Sequence, residues 1–565
     1  MENKKTMENN RIVIIGGIAA GTSAAAKCRR QSEDFKIIIY EKDKYISYGT
    51  CGLPYFVSGK IANMNKLLIH TPGHFSKRFN IGVRTGHEVL SIDAKNKKIL
   101  VRDLKNNKRF EDHYDKLILT TGSVPIKIKM EGYGARNIFV LKTMKDALDI
   151  KKYLENIKNT GKKDRNAVII GGGFIGLELL EAYLEGGFKV SIIEKESQIL
   201  PMFDREIIEY LENHLESLGI RIFKNEEAKK LITGDDNEVS KVVTSGGEEL
   251  DTDIVFFGIG TRPNNIIAAE AGIKIGKSGA VSVDEYMRTS IDDIYAAGDC
   301  CECENLISGD RRSYNLATIA NRQGRTAGYN AAGGNERFDG SIVTSIIKVL
   351  DIAIGKTGLS LKEARRLKID AGCIELHYGS HAGYYPGAET MHMLVVFDKG
   401  SGKLIGLEAI GRDGIDKRID IASTAIKGGL NIEDLASTEL AYQPAYGSAR
   451  DSINILGMIA ENLRKKEVGF IDIPKMREKI KNDDDMVILD VRSAKEYDAG
   501  HIEGAVLIPV NDIRENTGML DTGKETILYC RSGYRAYLAL RTLKNHGFSD
   551  VKLLNGSYLS WERKL

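Results

Sequence analysis

One local plan occurs twice in this 565-residue chain, and it restricts the fold to a parallel-sheet architecture. Arg11-Ile-Val-Ile-Ile-Gly-Gly-Ile-Ala-Ala-Gly21 is an apolar run, a glycine turn and the start of an alanine-rich helix, and Lys36-Ile-Ile-Ile-Tyr-Glu41 follows it. About 155 residues further on, Ala167-Val-Ile-Ile-Gly-Gly-Gly-Phe-Ile-Gly176 opens a second helix, and Lys189-Val-Ser-Ile-Ile-Glu194 closes the unit. Continuous apolar strands joined by a helix indicate sheets buried on both faces. The repeat predicts two nucleotide-binding domains.

The chain is too long for one core, and ordinary domain sizes predict roughly three to five units. Ile208, Leu211, Leu215 and Leu218 recur at helical spacing, with Gly219 as a stop. From about residue 341 the pattern turns to α+β with no glycine fingerprint. The charged run Glu461–Glu467 reads as a helix tail and hinge before a small C-terminal α/β unit, with strands at Met486–Asp490 and Thr526–Tyr529.

A dinucleotide pyrophosphate requires a tight turn, close backbone approach and a helix N-terminus with free N–H groups. Gly16, Gly17 and Gly21 meet most of this, with Glu41 placed to accept from a ribose hydroxyl; Ile18 stands where a middle glycine is usual. Thr289-Ser-Ile-Asp-Asp-Ile-Tyr-Ala-Ala-Gly-Asp299 resembles the second flavin motif of flavoproteins with two dinucleotide sites, which places Asp299 on the ribityl side. Thr120-Thr-Gly-Ser-Val-Pro125, with Thr121 and Gly122, resembles the linking motif of the same proteins. Together these predict FAD. Gly171, Gly173 and Gly176 keep the full spacing for a second nucleotide, NADH or NADPH. Glu194 favours NADH because an acid repels a 2′-phosphate, and Lys195 beside it softens that repulsion. Glu178 stands toward the nicotinamide end.

A net charge of +3 gives no reason to expect nucleic acid or a membrane surface as partner. No apolar run approaches the length of a spanning helix, and the polar segment from Met1 to Arg11 does not read as a secretory signal. Seven irregularly spaced cysteines are not a disulfide framework and fit a reducing cytoplasm.

Cys51 lies in Ser-Tyr-Gly-Thr-Cys-Gly-Leu-Pro-Tyr, at the start of a short helix whose N-terminus favours a thiolate. Glutathione-reductase-type flavoenzymes place a second cysteine five residues after the first; that position is Phe56 here, so no internal disulfide is expected at this site. In these residues the chain resembles the coenzyme A disulfide reductases, single-cysteine flavoprotein disulfide reductases, over residues 11 to about 460. The resemblance implies a homodimer in which Cys51 forms a mixed disulfide with coenzyme A. It also implies that two tyrosines of the partner's dimerisation domain reach the thiol; they match Tyr384 and Tyr442, with Tyr385 and Tyr446 nearby. The family binds coenzyme A on its first helix, which here carries Ser23, Lys27, Arg29 and Arg30, and Ser47 matches beside the thiol loop. Asn321 and Arg325 are further candidates. Thr50 stands where the family usually has Asn.

Leu489-Asp-Val-Arg-Ser-Ala-Lys-Glu-Tyr-Asp-Ala-Gly-His-Ile-Glu-Gly-Ala505 and Cys530-Arg-Ser-Gly-Tyr-Arg535 are similar to the rhodanese signature, over residues 469–565. Such a loop turns successive N–H groups inward as an anion nest, stabilising a thiolate or persulfide on Cys530, with Arg535 adding charge. Asp490, Arg492 and His501 are expected to hold the fold. Cys300, Cys301 and Cys303 lack the spacing and fourth ligand of a metal site, so no metal is expected.

The expected fold is α/β: two Rossmann-like dinucleotide-binding domains, an α+β dimerisation domain and a C-terminal rhodanese domain. The expected boundaries are 1–155 with 284–340 for FAD, 156–283 for NAD(P)H, 341–465 for dimerisation and 466–565 for the rhodanese-like unit. The expected function is NAD(P)H-driven reduction of coenzyme A persulfide, polysulfide or coenzyme A disulfide through Cys51, with Cys530 relaying sulfane sulfur. One alternative is an NADH oxidase or peroxidase cycling a cysteine sulfenic acid; the first glycine loop lacks the histidine of the peroxidase branch. The other is a flavin redox sensor whose rhodanese module docks a partner.

Overall fold

A computed structural model describes residues 11–563; the polar segment 1–10 read above lies outside them. The chain forms two compact units, one of residues up to Ile199 with Gly219–Val343, the other of Leu200–Leu218 with the chain from Thr344 onward.

The first unit is built on two five-stranded parallel sheets. In one the order is Ile294–Ala296, Lys116–Leu119, Arg11–Ile15, Lys36–Glu41, Gly82–Thr85. In the other it is Arg221–Lys224, Phe188–Glu194, Arg165–Ile170, Ile254–Phe257, Ile138–Phe139. The central strand Arg11–Ile15 is buried at every position, as a strand covered on both faces must be. The helix Ala19–Arg29 lies against the helix Ala317–Ala331 at backbone distance. A Cβ on Gly324 would stand 2.2 Å from the carbonyl oxygen of Ala20, and one on Gly328 2.3 Å from that of Ala24. Only glycine permits this approach.

The second unit contains an antiparallel sheet ordered Ser345–Val349, Ile352–Gly358, Leu404–Gly411, Thr390–Asp398, Ala371–Gly379. It also contains a parallel sheet ordered Phe470–Ile471, Val551–Leu554, Glu525–Tyr529, Met486–Asp490, Val506–Leu507. The helix Arg205–Ser217 lies between first-unit strands in sequence, yet it packs on the strands Thr390–Asp398 and Leu404–Gly411. Ile207, Ile208, Leu211 and Leu215 form its buried stripe. Leu218, expected in that stripe, is instead the half-exposed residue that caps the helix.

Buried charges anchor this excursion. Asp204 accepts from the N–H groups of Leu361 at 2.5 Å and Lys362 at 3.0 Å, and its own N–H donates to Glu408 at 2.8 Å. Lys356 Nζ donates to the Met202 carbonyl at 2.7 Å and to Glu363 at 2.6 Å, and stands 3.4 Å from Glu408 Oε1. Burial pushes the Glu408 carboxyl up to about 8. Removing one member of a buried ion network leaves the others desolvated and uncompensated. Lys356→Met is therefore expected to cost about 3–5 kcal/mol of stability in urea denaturation; a loss below about 1 kcal/mol, the worth of an exposed pair, contradicts this account.

Candidate functional site

The two glycine turns are superimposable in their contacts. Gly16 and Gly171, with φ of +106° and +101°, adopt a backbone that other residues rarely tolerate. A Cβ on Gly21 would lie 1.9 Å from the Gly16 carbonyl oxygen, and one on Gly176 2.7 Å from that of Gly171. Neither following helix has a side-chain cap or an acid in its first turn, so no N-cap side chain competes for the N–H groups that a pyrophosphate requires. Ile18 replaces the middle glycine without strain, since its φ is −100° and that of its counterpart Gly173 is −82°.

Glu41 and Glu194 end their strands in the same way. Glu41 Oε2 accepts from the Gly17 N–H at 2.7 Å and Oε1 from Asp43 at 2.9 Å. Glu194 Oε2 accepts from Gly172 at 2.7 Å and Oε1 from Glu196 at 2.9 Å. Burial raises the Glu41 carboxyl. Lys195, expected to soften the charge of Glu194, instead pairs with Glu227 at 2.8 Å. Asp299 follows the strand Ile294–Ala296, and its Oδ2 lies 3.1 Å from Ser123 Oγ and 3.4 Å from Lys142 Nζ. Thr121 donates to the Asn264 carbonyl at 2.5 Å, and Gly122, at φ +68°, faces open space.

Cys51 sits in the 3₁₀ turn Thr50–Gly52, which leads into the helix Leu53–Val57. That helix has five residues and Pro54 in its first turn. Cys51 is the exposed thiol among the seven. Gly52 is seated against Leu67, leaving 2.4 Å for a Cβ, and Phe56 is buried. The helix packs on Phe174–Glu185, which carries Glu178 and Glu181. Lys60 pairs with Glu181. Among the described residues no cation pairs with Glu178, and burial pushes its carboxyl up to about 7. The Tyr55 phenol is raised by burial and then by the charges of Glu178, Glu181 and Cys51, so these groups share one electrostatic environment. The sequence reading gave Tyr55 no role.

The two-helix contact also gathers the proposed coenzyme A residues. Ser23 Oγ donates to Asn321 Oδ1 at 2.7 Å, and Lys27 Nζ lies 4.4 Å from the centre of the Tyr329 ring. Arg30 is exposed, and Arg325, one turn beyond Asn321, lies 3.8 Å from Glu336. Arg29 is not part of this surface. It is buried and donates to the carbonyls of Ser32, Glu33, Phe35, Phe79 and Asn80. Ser47 is buried at φ +49°, its carbonyl accepting from Ile69 at 2.8 Å.

In the second unit, the exposed Tyr384 and Tyr442 hydroxyls are 3.0 Å apart, and this bond raises the Tyr384 phenol. Cys530 follows the strand Glu525–Tyr529, and the Gly533 N–H donates to its sulfur at 3.1 Å. Arg535 forms two 2.7 Å bonds with Glu496, whose carboxyl is thereby held down at about 2. Glu496 escaped the sequence reading although Ser493-x-x-Glu496 is a legible capping box. Asp490 and Arg492 form a buried pair at 2.7 Å, with Arg492 over the Tyr558 ring at 3.9 Å. His501 stacks on Tyr497 at 3.7 Å. Cys28, Cys300, Cys301 and Cys303 are buried, and burial pushes the thiols of Cys28 and Cys303 up to about 12.

Three family models match the chain. Pyridine nucleotide-disulphide oxidoreductase matches residues 10–324, its dimerisation domain matches 344–452, and a rhodanese-like domain matches 473–564. An NADH oxidase of Methanocaldococcus jannaschii is 34% identical over 81% of this chain and 99% of its own. An NAD(P)H coenzyme A polysulfide/persulfide reductase of Pyrococcus horikoshii is 33% identical over 80% of this chain and 98% of its own. The crystal structure of reduced Bacillus anthracis CoADR-RHD superposes with a TM-score of 0.94, at 34% identity and covering 98% of both chains. With its nucleotide turns, its dimerisation domain and its rhodanese-like unit, the chain belongs to the pyridine nucleotide-disulphide oxidoreductase family.

Proposed function

We propose that this protein uses NAD(P)H to reduce coenzyme A persulfide, polysulfide or coenzyme A disulfide through Cys51, and that Cys530 relays sulfane sulfur. The observation that carries this reading is the setting of two thiols: Cys51 is the exposed one, and Cys530, although buried, accepts from the Gly533 N–H, whereas Cys28, Cys300, Cys301 and Cys303 are buried in the first unit. Names and architectures of relatives support the sulfur substrates.

Gly16, Gly17, Gly21, Glu41, Thr121, Gly122 and Asp299 would hold FAD, while Gly171, Gly173, Gly176 and Glu194 would hold the nicotinamide nucleotide. FAD bound there supplies the two-electron link between nicotinamide and thiol. The acid at Glu194, with Lys195 committed to Glu227, supports NADH over NADPH. Ser23, Lys27, Arg30, Ser47, Asn321 and Arg325 would bind coenzyme A. In a homodimer, Tyr384 and Tyr442 would serve the thiol of a second copy by donating to the departing sulfur.

The Cys51 thiolate attacks the coenzyme A sulfur of a persulfide, forming a Cys51–coenzyme A disulfide and expelling hydrosulfide. Two electrons from NAD(P)H and one proton then return the Cys51 thiolate and free coenzyme A. Each turnover thus consumes NAD(P)H, one proton and the persulfide, and yields NAD(P)+, coenzyme A and hydrogen sulfide. At Cys530, a thiolate attacks the outer sulfur of a persulfide, breaking its S–S bond and releasing the donor thiolate, and the new Cys530 persulfide passes that sulfur to an acceptor thiolate and returns the Cys530 thiolate.

Steady-state assays with coenzyme A persulfide and coenzyme A disulfide test the reading. Cys51→Ser is expected to abolish NAD(P)H consumption with both, and Cys530→Ser to impair only reactions that require sulfur transfer. Equal loss from both substitutions contradicts the division of labour. The M. jannaschii relative's name supports a second reading, reduction of oxygen; rapid turnover with oxygen alone and no coenzyme A adduct on Cys51 by mass spectrometry would favour it.

Glu178 gives the reduction a pH dependence. Electrons entering the cleft bring negative charge, which a neutral carboxyl tolerates and a carboxylate opposes. Because burial sets this group at about 7, the rate of reduction by NAD(P)H should fall as pH rises through 7. Glu178→Gln should remove that inflection; an unchanged profile rules out Glu178 as its source.

A further inference from the structure

Glu375 and His377 lie two residues apart on the strand Ala371–Gly379, the edge of the antiparallel sheet, so they share a face. His392 is the cross-strand partner of His377, and their rings stack with centroids 4.3 Å apart. All three are buried. Glu375 Oε1 accepts from His392 Nε2 at 2.7 Å and from the Ser560 hydroxyl, and Ser560 Oγ is 2.7 Å from His377 Nε2. Asn555 Oδ1 accepts from the Glu375 N–H at 2.9 Å. A Cβ on Gly556 would lie 2.2 Å from Ser560 Oγ and 2.6 Å from Glu375 Cδ, so the chain closes on the network at a glycine.

Ser560 belongs to the helix Ser557–Arg563, whose start holds the loop of Cys530. The Cys530 N–H donates to Ser557 Oγ at 3.0 Å, the Tyr558 N–H donates to the Cys530 carbonyl at 3.0 Å, and the Leu559 N–H to that of Arg531 at 3.1 Å. Ser557 and Ser560 are three residues apart, about 4.5 Å along a helix axis. One helical turn thus joins the sheet-edge network to the backbone of the sulfur-carrying residue.

A glutamate and two histidines are also a metal-ligand set, but the spacing here is that of hydrogen bonds. Ligands around tetrahedral zinc, with bonds of about 2.0–2.1 Å, lie about 3.3 Å apart, against 2.7 Å between His392 Nε2 and Glu375 Oε1. A metal-bound histidine donates its second ring N–H to an acceptor, whereas His392 Nδ1 is buried without one.

We propose that Glu375, His377, His392 and Ser560 are positioning residues for Cys530, fixing the helix that sets its loop and hence the direction of its sulfur. This inference rests on the reading of Cys530 as a sulfur carrier. In the reaction that reports it, the Cys530 thiolate attacks the outer sulfur of thiosulfate, forming a persulfide and releasing sulfite. Cyanide then takes that sulfur as thiocyanate and returns the thiolate, with no oxidant or reductant consumed.

The full-length protein is assayed for thiocyanate formation, for NADH-driven reduction of coenzyme A disulfide, and for Tm. Ser560→Ala is expected to lower kcat for thiocyanate about tenfold or more while KM for thiosulfate stays within about twofold, since misdirected attack penalises the bond-forming step. Ser560→Thr, which keeps the hydroxyl, should recover most of the rate, and disulfide reduction should change less than about twofold in both. His392→Phe, which keeps a ring in the stack but removes the donor to Glu375, should lower the same kcat about threefold or more, giving a second measure should Ser560→Ala fold poorly. A lowered Tm with kcat per folded molecule unchanged overturns the positioning role and leaves the sulfur-carrier reading standing. Absence of thiocyanate formation by the unmodified protein overturns both. One equivalent of zinc in the purified protein, lost in His392→Phe, overturns the hydrogen-bonded network.

Discussion

Each glycine turn in this protein is held by an acid at the end of the adjoining strand. The Gly17 N–H closes on Glu41 and the Gly172 N–H on Glu194, both at 2.7 Å. A buried carboxylate is costly unless amide donors satisfy it, and here two N–H groups do so in each unit. The bond draws the second glycine's amide toward the strand end and leaves the N–H groups of the following helix for the phosphates. The nucleotide chemistry proposed here requires that arrangement twice, and the structure repeats it bond for bond.

Around these turns, burial sorts the sulfur atoms. Desolvation suppresses the thiolate, the nucleophilic form, so a cysteine sealed in the interior is inert unless donors face its sulfur. Cys51 lies exposed on a turn ahead of a five-residue helix, and Cys530, although buried, has a loop amide donating to its sulfur. The same logic applies to carboxyls. Glu178, without a cation to offset its burial, is raised, whereas Glu496, clasped by Arg535, is lowered. The redox and sulfur-carrying centres proposed for this chain share no residue.

Much of the nucleotide site was legible because its demands are local. Gly16 at φ +106°, and Gly21 with no room for a Cβ, are sterically enforced within six residues, so spacing alone exposes them. The basic run Lys27-Cys28-Arg29-Arg30 was not resolvable in the same way. Arg29 and Arg30 differ only in what surrounds them, and five carbonyls, three from the turn that follows and two from Phe79 and Asn80, make Arg29 part of the interior. Lys195 reads as a neighbour of Glu194 until the strand ending in Lys224 brings Glu227 beside it. Leu218 fits the helical period, yet the helix stops at Ser217.

The paired glycine turns, the lone thiol after the first of them and the loop that carries the second are legible in the chain, because each is a short segment obeying steric rules of its own backbone. Only the tertiary structure decided that the helix Arg205–Ser217 packs in the second unit, that Tyr384 meets Tyr442, and that Glu375, His377 and His392 converge on Ser560. Those outcomes join residues as much as 204 positions apart. They follow from which buried polar groups find partners once the sheets have formed, and no periodicity in the chain records that.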